Sequence, residues 1–161
     1  MADKQKILLT FTFTEKDEKA LAFVLRTFTD REGVSITIFS SYPPLPSEAP
    51  DFSKALGSWP AAIGEAIVRN GIAKQIQEYE HRLMEIEQRL VEAGFRKDSI
   101  DHIFRESSRD EAEEIIETVR EGNYNVIVLA FRPGHVWRIF AKNVYQAVME
   151  SLRGVAICII T

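Results

Sequence analysis

The sequence predicts an α/β fold in which helices cover both faces of a parallel β-sheet. Four segments of helical character each end at a glycine and lead into a run rich in Val, Ile or Phe; these glycines are Gly33, Gly94, Gly122 and Gly154. Glycine suits the left-handed position that closes a helix. The runs at 126–131 and 155–160 are apolar at nearly every position, which is typical of parallel strands buried on both faces.

The elements follow one another in strict alternation. The first strand is "KILLTFTF", over 6–13. Thr14 with Asp17, and Ser108 with Glu111, have the spacing of helix caps, and the second pair has the residues of a full capping box. The order is strand, helix, strand, insertion, helix, strand, helix, strand, helix, strand. With short connections, this order predicts right-handed crossovers and a parallel sheet.

One long insertion interrupts the alternation, over 40–64, and it contains five of the six prolines. It is too long and too rich in proline for a simple turn between a strand and a helix. Beyond it, a long helix is predicted over about 60–93, marked on its apolar face by Ile63, Ile67, Ile76, Leu83, Ile86 and Leu90. The whole chain, 1–161, is predicted to form one domain that carries this proline-rich insertion.

The bulk composition limits the classes of function. The formal net charge is −4, which gives no sign of a nucleic-acid partner. No apolar run approaches the roughly 20 residues needed to span a bilayer, and the N-terminus lacks the features of a signal peptide. The single cysteine excludes an internal disulfide. We therefore expect a cytoplasmic protein without a membrane partner.

The sequence offers little catalytic chemistry. It contains no G-x-S-x-G elbow, no H-E-x-x-H motif, no P-loop and no G-x-G-x-x-G after the first strand. The three histidines, His81, His102 and His135, have no paired spacing, so no metal site is expected. The patterns favour a protein that is not an enzyme.

Three stretches of the chain resemble the universal stress protein family, and together they run nearly from end to end. "KILLTFTFTEKDEKAL" is similar to the opening strand and helix of the family, and "RDEAEEIIETVREGNYNVIVLAFR" to its third helix and fourth strand. "NVYQAVMESLRGVAICII" is similar to its closing segment. The resemblance implies an open five-stranded parallel sheet of order 3-2-1-4-5, of the adenine nucleotide alpha hydrolase-like type, and a role in the stress response.

The ATP-binding members of that family carry G-x-x-G, nine residues, and then G-[S/T], together with an acidic residue at the end of the first strand. In this chain those positions fall on Thr12, Ala130, Pro133 or Gly134, Lys142 and Asn143. Lys142 places a Cβ where the backbone must approach phosphate closely, and Pro133 has no N–H to donate. The resemblance therefore implies a degenerate nucleotide-binding motif and no standard ATP grip.

The same region can still form a ligand site. In an open parallel sheet, ligands bind beyond the carboxyl ends of the strands where the strand order reverses. The loops there are predicted at 12–14 and 131–143, and the candidate site residues are Thr12, Thr14, Ala130, Arg132, Gly134, His135, Arg138, Lys142 and Asn143. The four basic residues among them are spaced by three, three and four, so they share one side of a helical segment. They predict either an anion pocket for phosphate, ATP or AMP, or only a basic surface stripe.

The closing run "GVAICIIT" contains no Lys, Glu or Pro to discourage pairing with another strand. By the implied strand order it is an edge of the sheet, and no later segment of the sequence follows to cover it. We expect a homodimer in which two copies of this strand pair, an arrangement that the resemblance also implies. The alternative is that the 40–64 insertion folds over this edge within one chain.

Two classes of function remain open: a non-enzymatic, dimeric stress-response module, and a nucleotide- or phosphate-binding protein, with weak phosphohydrolase activity as one form.

Overall fold

The computed structural model describes residues 4–42, 61–130 and 144–161, with the side chains of 61–68 excepted. Most of the proline-rich insertion, 43–60, and the basic loop, 131–143, lie outside the described residues.

Five strands and four helices alternate along the described chain. The strands are β1 (Gln5–Thr10), β2 (Val34–Tyr42), β3 (Ile100–Glu106), β4 (Val126–Ala130) and β5 (Ala156–Ile160). The helices are α1 (Lys16–Thr27), α2 (Ala61–Glu92), α3 (Glu111–Gly122) and α4 (Val144–Ser151), and a 3-10 turn at Lys97–Ser99 leads into β3. All pairings are parallel and the strand order is 3-2-1-4-5. The predicted fold class is confirmed.

The two faces of the sheet carry separate apolar clusters. On one face, Ile7 and Leu9 of β1 pack with Leu21 of α1 and with Leu83 and Leu90 of α2. On the other face, α3 and α4 pack against Leu8 of β1 and Ile127 of β4. The packing residues are Ile115 and Val119 of α3, Val148 of α4 and Leu152, which follows α4. This division follows from right-handed crossovers, because the connections before β3 run in one direction across the sheet and those after it return in the other.

The long helix after the insertion is confirmed, and its bounds lie close to the predicted ones. Leu83, Ile86 and Leu90 are buried, whereas Ile76 is only half-buried. The charged side of the helix is largely exposed, as a solvated face should be. No described helix combines the length and the apolar character needed to cross a membrane.

The capping box predicted at Ser108 and Glu111 is wrong. Asp110 is the N-cap of α3, and its side chain accepts a hydrogen bond of 2.9 Å from the N–H of Ala112. Asp is as good a cap as Ser, and the chain enters the helix two residues later than the capping box predicts. The first strand is also shorter than predicted, since β1 ends at Thr10.

Of the four glycines predicted to close helices, only two do so. Gly33 does not, because α1 already ends at Thr27. Gly94 and Gly154 have φ of 100° and 71° and so take the predicted left-handed role. At the end of α3 the prediction is wrong, because the left-handed residue is Asn123, with φ of 52°, and Gly122 is still helical. Position 122 favours glycine for a different reason, because a Cβ there would collide with the ring of Tyr124.

Candidate functional site

The carboxyl ends of β1 and β4 lie side by side at the point where the strand order reverses. Thr10 Oγ1, at the end of β1, donates a buried hydrogen bond of 3.2 Å to the carbonyl oxygen of Val128 in β4. The Tyr145 hydroxyl, on α4, donates to the carbonyl oxygen of Ala130 at 3.0 Å. Side-chain hydrogen bonds therefore hold the carboxyl ends of both β1 and β4, which is where an open parallel sheet binds ligands.

Three of the predicted site residues are described. Thr12 and Thr14 lie in the β1–α1 loop with their hydroxyl oxygens 2.8 Å apart, and Ala130 is the last residue of β4. The other candidates, Arg132, Gly134, His135, Arg138, Lys142 and Asn143, lie outside the described residues. The grouping of all nine into one pocket stays a prediction.

Asp17 holds the β1–α1 loop in place. Its Oδ1 accepts hydrogen bonds of 2.9 Å from both the N–H and the hydroxyl of Thr12, and its Oδ2 accepts one of 3.1 Å from the N–H of Thr14. The contact with Thr14 is the half of the predicted cap that the structure confirms, although Glu15 holds the N-cap position. A carboxylate from the first turn of α1 therefore contacts Thr12, the position where the resemblance places an acidic residue.

Burial raises the pKa of Asp17 above its ordinary value of 3.8, because desolvation disfavours the charged form. The hydrogen bonds from Thr12, Thr14 and the Phe13 backbone oppose this effect by stabilising the carboxylate. The side chain is 4 % exposed, so the loop shields it from solvent on nearly every side.

Phe13, at the tip of this loop, adopts a backbone conformation that is unusual for a residue with a side chain. Its φ is 57°, in the left-handed region, which disfavours residues that carry a Cβ. Its ring stacks on Tyr79 of α2, with centroids 3.9 Å apart and planes within 5°, and Arg82 Nη1 donates to its carbonyl oxygen at 3.2 Å. Helix α2 thus holds the loop in this conformation.

A cleft of about 150 Å³ lies between the start of α1 and α2. Two arginines line it, Arg82 and Arg89, but Arg89 Nη1 already contacts both carboxylate oxygens of Glu18, at 2.8 and 2.9 Å. The acidic side chains around the cleft are Glu15, Asp17, Glu18 and Glu85. Carboxylates outnumber the cations there, so the cleft is a poor site for an anion.

A second buried carboxyl group lies at the same end of the sheet. Glu114, in the first turns of α3, is 2 % exposed, and its Oε1 accepts a hydrogen bond of 2.9 Å from the N–H of Ser108. The other oxygen, Oε2, is buried and forms no hydrogen bond with any residue that the structure describes. Asp17 and Glu114 thus act alike, because each holds the loop before its helix by accepting backbone N–H groups.

The sequence patterns did not point to Glu114, Phe13 or Tyr79. Glu114 lies in the acidic run "RDEAEEIIE", which has the ordinary composition of a helix start, and only the helical register shows that this residue faces the sheet. In the described part of the chain, no group of three or more His, Cys, Asp or Glu side chains could hold a metal ion.

An open five-stranded parallel sheet of order 3-2-1-4-5 with helices on both faces is the adenine nucleotide alpha hydrolase-like fold. No protein-family model and no curated protein matches the sequence. Solved structures do match, and several of them are universal stress proteins. One from Burkholderia pseudomallei has a TM-score of 0.59 and 16% identity, over 97% of this chain and 95% of that one.

Two further matches are structures with bound nucleotides. A universal stress protein from Archaeoglobus fulgidus in complex with dAMP has a TM-score of 0.61 and 14% identity over 100% of both chains. A universal stress protein in complex with cAMP has a TM-score of 0.56 and 12% identity, over 99% of this chain and 98% of that one. At these identities the similarity establishes the fold, and this chain has the universal stress protein fold.

Proposed function

We propose that the chain is a universal stress protein: a non-enzymatic stress-response module of the cytoplasm that acts as a homodimer and lacks the standard ATP grip. The match to universal stress protein structures over nearly the whole chain supports the family. The observation that carries the absence of an ATP grip lies at the end of β1. Thr12 replaces the expected acidic residue, and the nearby carboxylate of Asp17 is buried and already accepts three hydrogen bonds.

The glycine positions of the motif support the same conclusion. Ala130 ends β4 where the first glycine of the motif would lie, and its carbonyl oxygen accepts a hydrogen bond from Tyr145. The following motif positions carry Pro133, Lys142 and Asn143. Backbone N–H groups of glycine-rich loops bind phosphates because no side chain blocks the approach, and this chain has replaced most of those glycines.

Calorimetric titration with ATP in magnesium buffer tests the proposal. We expect no saturable heat in the micromolar range, because the sequence lacks most of the glycines of the ATP-binding motif. A dissociation constant in the low micromolar range that is lost when the 131–143 loop is mutated would contradict the proposal. Titration with AMP, under the same conditions, examines whether the chain recognises an adenine nucleotide that lacks the β- and γ-phosphates.

A second candidate function is the binding of phosphate or a nucleotide by the basic loop. It is favoured by the nucleotide complexes of two proteins with the same fold and by the cluster Arg132, His135, Arg138 and Lys142 in an otherwise acidic chain. Side-chain cations would then replace the missing glycine amides.

Replacing Arg132 and Lys142 together by alanine tests this candidate. Any affinity for phosphate or sulfate should disappear in the double variant and should weaken with salt, because exposed charges are screened over about 8 Å at physiological ionic strength. The matched control replaces Lys74 and Lys97, which are exposed elsewhere, and removes the same net charge. Equal anion affinity in the two double variants would exclude a specific role for the loop.

The homodimer is supported by the position of β5 at an edge of the sheet. Its residues Ile157, Cys158, Ile159 and Ile160 are all half-buried, and the strand carries no charged residue. An apolar edge of this kind invites pairing with another strand.

A further inference from the structure

A cavity of about 320 Å³ lies between α2 and the edge strand β3, at the opposite edge of the sheet from β5. Leu83, Met84 and Glu80 of α2 line one side of it, and His102 and Phe104 of β3 line the other. Its volume is at the lower end of the range, about 300 to 1,000 Å³, that is usual for small-molecule sites.

The side chains on the face of β3 that points towards α2 leave this space open. Ile100, His102 and Phe104 alternate along the strand and share one face. Ile100 is buried and Phe104 packs against the core, but the residue between them is His102, whose side chain is 47% exposed. Its Nδ1 lies 3.8 Å from a carboxylate oxygen of Glu87 on α2, so the imidazole turns to the helix instead of filling the groove.

The lining combines an apolar wall with negative charge. Leu83, Met84 and Phe104 form the wall, and Met84 is 59% exposed, which is unusual for a large apolar side chain. Glu80 lines the same cavity, Glu87 adjoins it through His102, and neither Lys nor Arg is among the described lining residues.

We propose that this cavity binds a small organic monocation with a compact apolar or aromatic body. The body would pack on Phe104, Leu83 and the thioether of Met84, since sulfur and aromatic faces both suit an aromatic ring. The ammonium group would face Glu80, where a charge-assisted hydrogen bond is available. An anion would meet only carboxylates and an imidazole that already contacts Glu87.

Other occupants of this edge fit less well. A peptide strand added to β3 would meet a row of exposed charged or polar side chains, Asp101, His102, Arg105 and Glu106, and such rows discourage strand pairing. A neutral apolar ligand would leave Glu80 beside the bound ligand without any contact to offset its loss of solvent.

The probe is 2-phenylethylammonium, compared with the uncharged 2-phenylethanol. The full-length chain is labelled with ¹³C at the methionine methyl groups and followed by NMR during titration. Met84 reports on the cavity, and Met149, which is exposed on α4 across the sheet, is an internal control. We expect a saturable shift of the Met84 methyl signal, no shift of Met149, and binding of the alcohol about fivefold weaker than that of the ammonium ion.

Glu80→Gln should weaken binding of the ammonium ion about threefold and leave binding of the alcohol unchanged. The matched control is Glu85→Gln, on the same helix but outside the cavity lining, where Glu85 contacts His81 at 3.3 Å. It should leave both ligands unaffected. Absence of a Met84 response, equal shifts of Met84 and Met149, equal affinity for the two ligands, or equal effects of the two substitutions would each overturn the proposal.

Discussion

Asp17 combines burial, charge and a loop-holding role in one residue. It lies in the first turn of α1, where a carboxylate is favoured by the helix dipole. The N–H groups of Thr12 and Thr14 have the Asp17 carboxylate as their acceptor, and this arrangement sets the path of the chain from β1 into α1. Asp17 therefore holds the start of the loop at the switch point of the sheet, while Tyr79 and Arg82 of α2 hold its tip at Phe13.

Asp17→Ala should lower the free energy of unfolding at neutral pH by about 2 kcal/mol, because partly buried N–H donors would lose their acceptor. Urea unfolding measures the change. Glu18→Ala is the control, since it removes a carboxylate from the same helical turn that is exposed and forms an ion pair with Arg89. A change of about 1 kcal/mol or less is expected there. Equal losses in the two variants would show that the loop does not depend on Asp17.

The difference in stability between the unaltered chain and Asp17→Ala should also depend on pH. The pKa of Asp17 is raised in the folded state above its ordinary value, so the folded chain binds this proton more tightly than the unfolded chain. The resulting stabilisation is fully present below the ordinary pKa and is lost as pH rises through the folded pKa. The difference in unfolding free energy between the unaltered chain and Asp17→Ala should therefore be larger at pH 3 than at pH 7. A smaller difference at pH 3 would mean that the pKa is lowered instead.

At the scale of single residues, sequence patterns predict local contacts, such as helix caps, better than contacts between distant parts of the chain. The interval from Thr14 to Asp17 predicts a cap, and the hydrogen bond between them is present. The same interval from Ser108 to Glu111 is misleading, because Asp110 between them is an equally good cap. The left-handed φ of Phe13 has no local signal at all, since its stabilising contacts, Tyr79 and Arg82, come from a helix far along the chain.

At the scale of elements, almost the whole order of strands and helices follows from periodicity and from residues that end helices. Alternation of apolar runs with amphipathic segments is a property of each segment by itself, so it survives in the sequence. Boundaries depend on neighbours. β1 ends at Thr10, whereas the apolar alternation continues to Phe13, because the chain turns there under contacts with Asp17 and α2. The strand order itself needed the family resemblance, since crossovers can return to either side of a sheet.

The candidate site is predictable only in part for the same reason. Thr12 and Thr14 follow β1 and Ala130 ends β4, two strands that are neighbours in the sheet, and their role in a ligand site stays a prediction. The cavity beside His102 could not be predicted, because it arises from how a distant helix packs on an edge strand. Glu80 and His102 line the same cavity only because of tertiary packing, which leaves no pattern in the local sequence.

At the scale of the whole molecule, the two edges of the sheet differ in character. The β3 edge carries exposed charged and polar side chains, whereas the β5 edge carries no charged residue and, after the exposed Ala156, only half-buried ones. Natural proteins protect free edges with charges, prolines or cover, so the unprotected edge is the one expected to have a partner. Two copies related by a two-fold axis would pair their β5 strands antiparallel and join two five-stranded sheets into one.

The backbone directions along β5 identify where this pairing can be broken. The N–H of Ala156 donates to the carbonyl oxygen of Asn125, at 2.9 Å, so it points towards β4. N–H groups alternate in direction along a strand, so those of Ile157 and Ile159 point away from β4, to the open edge. Proline at Ile159 removes an N–H that only a partner strand could use, whereas proline at Ala156 also disrupts the bond to Asn125.

Ile159→Pro should therefore convert the proposed dimer to a folded monomer, which sedimentation equilibrium and circular dichroism would show together. Ile159→Ala is the matched control, because it shortens the same side chain and keeps the N–H; it should weaken the dimer less than the proline does. Ala156→Pro should unfold the chain or lower its thermal stability. An unaltered chain that sediments as a monomer at tens of micromolar would refute the dimer, and a dimer indifferent to Ile159→Pro must be built on a different surface.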